Sequence, residues 1–325
     1  MRVAVAQIAP VLLDKRATLA KVEQRVNESA EKGAKLVVFG EATVPGYPWW
    51  VDRTDGAKFD DDANKMLFAK YAAEAVVLPD VASASQLDDQ RNDLASLCGL
   101  ASSHKLTIVI GVIERVGHSL YCSAVTIDAT GSIVNVHRKL MPTFEERLVW
   151  ATGDGHGLRV SQVGEFTMGV LNCWENWMPL ARTALYAQGE NLHVSLWPGC
   201  LRNTQDHTRF VSFESRSFVV AACNLMSKEI LQSAPEFVGK VAMLAEMEKR
   251  GEDWIADGGS CIALPGGVFL VEPVVKKECL IIADLDIVRV FGERQNLDVC
   301  GHYGRPDVLS LSVNRQRLSA AKIQD

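Results

Sequence analysis

The sequence predicts an α/β fold. Two observations carry this: short apolar runs rich in β-branched residues alternate with stretches of helical spacing along the 325 residues, and 48% of them are hydrophobic, enough for a large buried core. A third sets the domain count. No linker, low-complexity tract or helical repeat interrupts the alternation, so a single domain over residues 1–325 is expected, with a poorly periodic extension from about residue 297.

Residues 2–9 read as a buried strand. Residues 14–32 carry Leu19, Val22, Val26 and Ala30 on one helical face, with Gly33 as a stop. Lys35 to Phe39 is a second strand, which completes an opening βαβ unit. After a loop rich in proline and aromatic residues, Asp60-Asp61-Asp62 can cap a helix through Met66, Leu67 and Tyr71. A further helix is predicted from about Asp89 to His104, then a buried strand from Leu106 to Ile113. Leu120–Asp128 and Ser132–His137 form a hairpin around Ala129-Thr130-Gly131. Strands at 166–172 and 192–197, a helix near 203–217 and a strand at 218–223 follow. The remainder predicts a helix over 234–250, strands at 260–264, 268–271 and 280–285, and a short helix over 286–296.

Composition excludes several function classes. The 34 basic residues against 40 acidic ones leave a formal charge of −6 without a long basic run, which argues against nucleic acid as a partner. The first residues are too short and strand-like for a secretory signal, and no apolar run approaches the roughly 18 residues of a membrane span. The eight cysteines include no Cys-x-x-Cys pair, consistent with a cytoplasmic protein whose thiols are reduced and, all but one, packed in the core. The seven histidines make no metal-binding spacing with cysteines, and Gly153-Asp-Gly-His-Gly157 lacks the lysine and hydroxyl of a phosphate loop. Neither a metal nor a cofactor is expected.

The exceptional cysteine is Cys173. The strand 166–172 ends at it, and Pro179 opens a helix soon after, so the thiol sits on a strand-to-helix turn where α/β sheets place ligands. A nearby helix N-terminus is expected to favour its thiolate. Glu41 and Lys139 also follow strands. If the three converge, the carboxylate can take the thiol proton, the thiolate can attack an electron-poor carbon, and the ammonium can stabilise the negative charge that develops, with the Trp174 N–H as a second donor. Glu145 and Glu146 also suit the first turn of an amphipathic helix balanced by Arg147.

These blocks resemble the nitrilase, or carbon–nitrogen hydrolase, superfamily, with its Glu-Lys-Cys triad. Arg138-Lys139-Leu-Met-Pro-Thr-Phe-Glu-Glu146-Arg147, Asn172-Cys173-Trp174-Glu175-Asn-Trp-Met-Pro179 and His302-Tyr-Gly-Arg305-Pro-Asp307 resemble its true nitrilase branch. The resemblance spans Val3 to about Leu311 and implies a four-layer α-β-β-α sandwich. It makes Glu41 the general base, Lys139 the cation, Cys173 the nucleophile, and Glu146, by its spacing from the lysine, the second glutamate. It also implies a homo-oligomer, a dimer or higher. Gly40 stands where many members have proline. Tyr47, Trp49, Trp174 and Trp197 lie beside the strand ends and are expected to wall a substrate pocket. The expected reaction converts a nitrile to a carboxylic acid and ammonia. An amidase or nitrile-to-amide hydratase with the same triad, or a non-catalytic protein on this fold, is the alternative.

Overall fold

The apolar runs form two mixed sheets lying face to face in the computed structural model, which describes residues 1–79 and 91–318. The first half of the chain gives β1 (Arg2–Gln7), α1 (Lys15–Glu31), β2 (Leu36–Phe39), α2 (Trp50–Arg53), α3 (Asp62–Glu74), α4 (Ala95–His104), β3 (Thr107–Val116), β4 (Ser119–Ile127) and β5 (Ile133–Arg138). The second half begins with β6 (Ser161–Val163), β7 (Phe166–Asn172), α5 (Pro179–Tyr186), β8 (Leu192–Trp197), α6 (Leu201–Ser215) and β9 (Phe218–Cys223). It continues with β10 (Leu225–Ser227), α7 (Lys228–Ser233), α8 (Lys240–Arg250), β11 (Trp254–Leu264), β12 (Val268–Val275), β13 (Cys279–Asp284) and α9 (Ile287–Arg294).

The first sheet runs β13-β1-β2-β3-β4-β5, with β1, β2 and β3 parallel. The second runs β10-β11-β9-β8-β7-β6, with β7, β8 and β9 parallel and β12 paired to β11. Late in the chain, β13 returns to the first sheet and pairs antiparallel with β1, Val3 opposite Ala283. Successive side chains of a strand point to opposite faces, and here both faces are covered. Val3, Val5, Val38 and Val109 of the first sheet meet Phe166, Val170, Val194 and Val220 of the second in one core. Ala4, Ala6, Val37 and Ile108 face the other way, onto Val22 and Val26 of α1 and Leu97 and Ala101 of α4. Leu171 packs outward on Ala181 and Leu185 of α5, and Val219 on Val211 of α6. Helix, sheet, sheet and helix make four layers.

Most elements lie where periodicity predicts them, and the differences have local causes. The helix expected from Asp89 begins at Ala95; Asp89 itself lies outside the described residues. Asn92 caps the Leu94 N–H at 2.9 Å, while Asp93 turns away to Lys15 and the Val77 N–H. The helix expected over 234–250 begins only at Lys240, and the short α7, which the periodicity did not announce, precedes it. Ser227 caps the short α7 through the Ile230 N–H, Pro235 breaks the chain, and α8 starts after Gly239 at φ +91°. Strands β11 and β12 extend beyond the apolar stretches that announce them: the first part of β11 pairs with β10, and β12 pairs along β11 with alternate side chains exposed. The expectation that every cysteine but one is a core thiol fails at Cys300, which is exposed. Among the described residues, no helix is long and apolar enough to cross a membrane.

Candidate active site

Glu41 follows β2, Lys139 follows β5 and Cys173 follows β7, so two strand ends come from the first sheet and one from the second. Contacts between the sheets hold the three together. The Glu41 N–H donates to the Trp197 carbonyl at the end of β8, 3.1 Å, and Asn224 Nδ2 donates to the Glu41 carbonyl, 2.7 Å. A Cβ on Gly40 would lie 2.8 Å from both the Trp197 carbonyl and the Asn224 side chain. That contact accounts for the glycine where many nitrilases have proline. Gly153 does the same for the lysine: its N–H donates to the Lys139 carbonyl at 2.9 Å, and a Cβ there would meet the Arg138 carbonyl at 2.3 Å. The glycine-rich loop is thus a turn that supports the Lys139 backbone.

The side chains converge in a buried cluster. Lys139 Nζ lies 2.8 Å from Glu41 Oε1 and 2.7 Å from Glu146 Oε2, all three groups at most 1% exposed. The thiol of Cys173 and one carboxylate oxygen from each of Glu41 and Glu146 lie within 4.8 Å of one another. Such a set could hold a metal ion, but Lys139 already brings a positive charge against both carboxylates. Glu146 occupies the third position of a short 3-10 turn (residues 144–148), from which it reaches back to the Thr143 N–H at 2.5 Å. Glu145 is not drawn into the cluster. Tyr47 donates to Glu146 Oε1 at 2.8 Å and packs on Trp49 and Trp150, and the Trp150 ring lies 5.5 Å from Lys139 Nζ.

The other aromatic candidates divide. Trp197 is fully buried, with its indole N–H on Ser195 Oγ, and belongs to the same apolar cluster as Cys173. Trp174 is 49% exposed, and its backbone N–H, rather than its ring, serves the thiol. Sequence reasoning missed Glu175 as a site residue. Its Oε1 accepts the Leu140 N–H at 2.8 Å, and its Oε2 accepts the Asn172 N–H at 2.9 Å and pairs with His137 Nε2 at 2.8 Å. One carboxylate therefore joins the residue after Lys139 to the residue before Cys173. Asn176 adds a bond to the Cys173 carbonyl at 2.8 Å, supporting a backbone held at φ +47°. The spacings Thr143-x-x-Glu146 and Asn172-x-x-Glu175, with Glu at the third position of a turn, were the available signals.

Burial dominates the electrostatics. It pushes Glu41 up to about 7, although Lys139 draws it down. Burial alone would lower Lys139, but Cys173, Glu41 and Glu146 together lift it well above the usual range, so the ammonium persists. Burial and the charge on Glu41 raise the Cys173 thiol well above its ordinary value, against the pull of Lys139 and the Trp174 N–H. The expected helix-terminus preference for thiolate is corrected: the resting group is a thiol, beside a carboxylate able to accept its proton near neutrality.

Residues 2–292 match the family model described as carbon-nitrogen hydrolase. The chain belongs to the carbon–nitrogen hydrolase family. It is 37% identical over 320 residues to the bifunctional nitrilase/nitrile hydratase NIT4 of Oryza sativa subsp. japonica, covering 97% of this chain and 84% of that one. It is 34% identical to nitrilase 2 of Arabidopsis thaliana, over 97% of this chain and 88% of the relative. Among solved structures, Nit3 of Saccharomyces cerevisiae superposes with a TM-score of 0.69 at 17% identity, covering 93% of this chain and 96% of that one. An amidase from Nesterenkonia sp. superposes at 0.61 and 18% identity, over 91% and 94%. At these identities the two structures speak to the fold, and the α-β-β-α sandwich is the one the nitrilase superfamily shares.

Proposed function

We propose that the protein is a nitrilase that hydrolyses an organic nitrile to the carboxylic acid and ammonia through a covalent adduct on Cys173. The observation that carries this reading is the buried set of thiol, carboxylate and permanent cation, in which Lys139 Nζ stands 2.8 Å from Glu41 and 2.7 Å from Glu146. Glu41 takes the Cys173 proton as sulfur adds to the nitrile carbon, the C≡N π pair moves to nitrogen, and Glu41 passes the proton to that nitrogen, giving a thioimidate and an ionised base again. Lys139 and the Trp174 N–H stabilise the charge on the attacked group. A water deprotonated by Glu41 adds to the thioimidate carbon, and ammonia leaves. A second water hydrolyses the thioester, freeing the acid and the thiol. Glu146, fixed by Tyr47 and Thr143, holds the lysine in place.

Nitrile is favoured over amide because relatives covering most of the chain at 32–37% identity are plant nitrilases, several also named nitrile hydratases. Loss of the thiol one step earlier would release the amide, the reaction of those bifunctional relatives. Tyr47 and Trp49, with Trp174 and Trp197, are assigned to the pocket that takes the organic group. The reading includes one catalytic domain over residues 1–325 with an extension from about 297, a cytoplasmic location and assembly into a homo-oligomer. The test is to incubate the protein with aliphatic, aromatic and arylaliphatic nitriles and their amides, measuring ammonia and acid. Release from nitriles that disappears in Cys173→Ala is expected; release from amides alone would make the protein an amidase.

A further inference from the structure

The proposed mechanism leaves one buried thiol at the site without a task. Cys122, on β4, touches two members of the cluster. Its carbonyl accepts the Lys139 N–H at 2.7 Å, and its Sγ donates to Glu41 Oε1 at 3.4 Å. Burial, and then the charge on Glu41, lifts this thiol well above its usual range, so it remains an S–H with one hydrogen to give. Glu41 Oε1 therefore accepts from two donors, Lys139 Nζ and Cys122 Sγ. Glu41 Oε2 is buried and has no hydrogen-bond partner among the described residues. A carboxylate oxygen offers about two lone-pair directions. Those of Oε1 are occupied, and those of Oε2 are open.

We propose that Cys122 is a positioning residue that reserves Oε2 of Glu41 as the proton-accepting oxygen. This rests on the reading of Glu41 as general base. The proton of the Cys173 thiol, and later that of the attacking water, passes to Oε2, while the electron pair left on sulfur or oxygen forms the new bond to carbon. Holding Oε1 stops the carboxylate from turning its occupied oxygen to the reaction. The same bond stabilises the ionised base, so Glu41 is deprotonated at a lower pH with Cys122 than without it. A cysteine that merely filled the core would be replaced by valine without moving any titration.

Cys122→Val removes the donor at similar volume, Cys122→Ser keeps one, and Cys122→Ala is a second donor-free variant should valine impair folding. A net hydrogen bond of ordinary strength corresponds to a shift of about half to one pH unit in the acid limb of kcat/KM, towards higher pH for valine or alanine. Serine is expected to keep the limb at or below its original position. The pH dependence of Cys173 carbamidomethylation by iodoacetamide, located by peptide mass, should move in parallel and needs no substrate. Superimposable profiles for the donor-free variants and the unaltered protein would overturn the proposal while leaving the base assignment intact. A limb absent from the unaltered protein's own rate and alkylation profiles would instead remove Glu41 as base, and this proposal with it.

Discussion

Glu175→Ala is expected to separate the two halves of the site as well as destabilise the fold. The carboxylate is 1% exposed and accepts two backbone N–H groups and His137 within 2.9 Å. Burial would raise its pKa, but His137 and the two N–H groups outweigh burial and hold it below the ordinary glutamate range. Removing it leaves buried donors unmatched, a loss on the order of 3–5 kcal/mol. For a chain of this size, each kcal/mol lowers the melting temperature by about 2 °C, so a fall of about 6–10 °C is expected at pH 7. Because the folded pKa is depressed, this contribution is present above the pKa of an unfolded glutamate and is lost as pH falls through the folded one. The gap between the unaltered protein and the variant should therefore be constant near neutrality and narrow in acid. Differential scanning fluorimetry across pH measures both. A variant that melts with the unaltered protein at pH 7, or a gap that widens on acidification, would refute the clamp.

Three further outcomes follow from the same geometry. With Glu41 pushed up to about 7 and ionised when it acts, kcat/KM should fall as pH drops through about 7, and a flat profile down to pH 5 would exclude Glu41 as the rate-determining base. Gly153→Ala puts a Cβ at 2.3 Å from the Arg138 carbonyl, and the displaced Lys139 should cost about a hundredfold in kcat; unchanged turnover would show that the loop does not position the lysine. Arg317→Ala breaks the pairing with Asp154 at 3.0 Å that fastens the C-terminal stretch to the glycine loop, and should destabilise by about 1 kcal/mol, read as a small fall in urea midpoint.

The strands were the most legible part of the chain, because those covered on both faces read as mostly apolar runs, as 166–172, 192–197 and 218–223 do. Chemistry-bearing residues at strand ends could be seen in part for the same reason: Glu41 and Cys173 close such runs, whereas Lys139 follows the more polar strand Ile133–Arg138. Helix boundaries were less readable. The Asn92 and Ser227 caps depend on side-chain bonds that periodicity does not encode, and apolar spacing over 234–250 outweighed the proline at 235. Supporting groups were least readable. Cys122 and His137 lie within strands as ordinary members, and only the fold brings one to Glu41 and the other to Glu175. The protonation state of Cys173 was misjudged because a turn near a helix is visible in sequence, whereas complete burial beside two carboxylates is not.

The central claim is that Cys173 carries the substrate as a covalent adduct. Mass spectrometry of acid-quenched protein after mixing with a nitrile that it turns over tests this directly. The account predicts that the peptide containing Cys173 gains the mass of the thioimidate or the acyl group, and that Cys173→Ala shows neither adduct nor ammonia. Ammonia released at an undiminished rate by Cys173→Ala would contradict it.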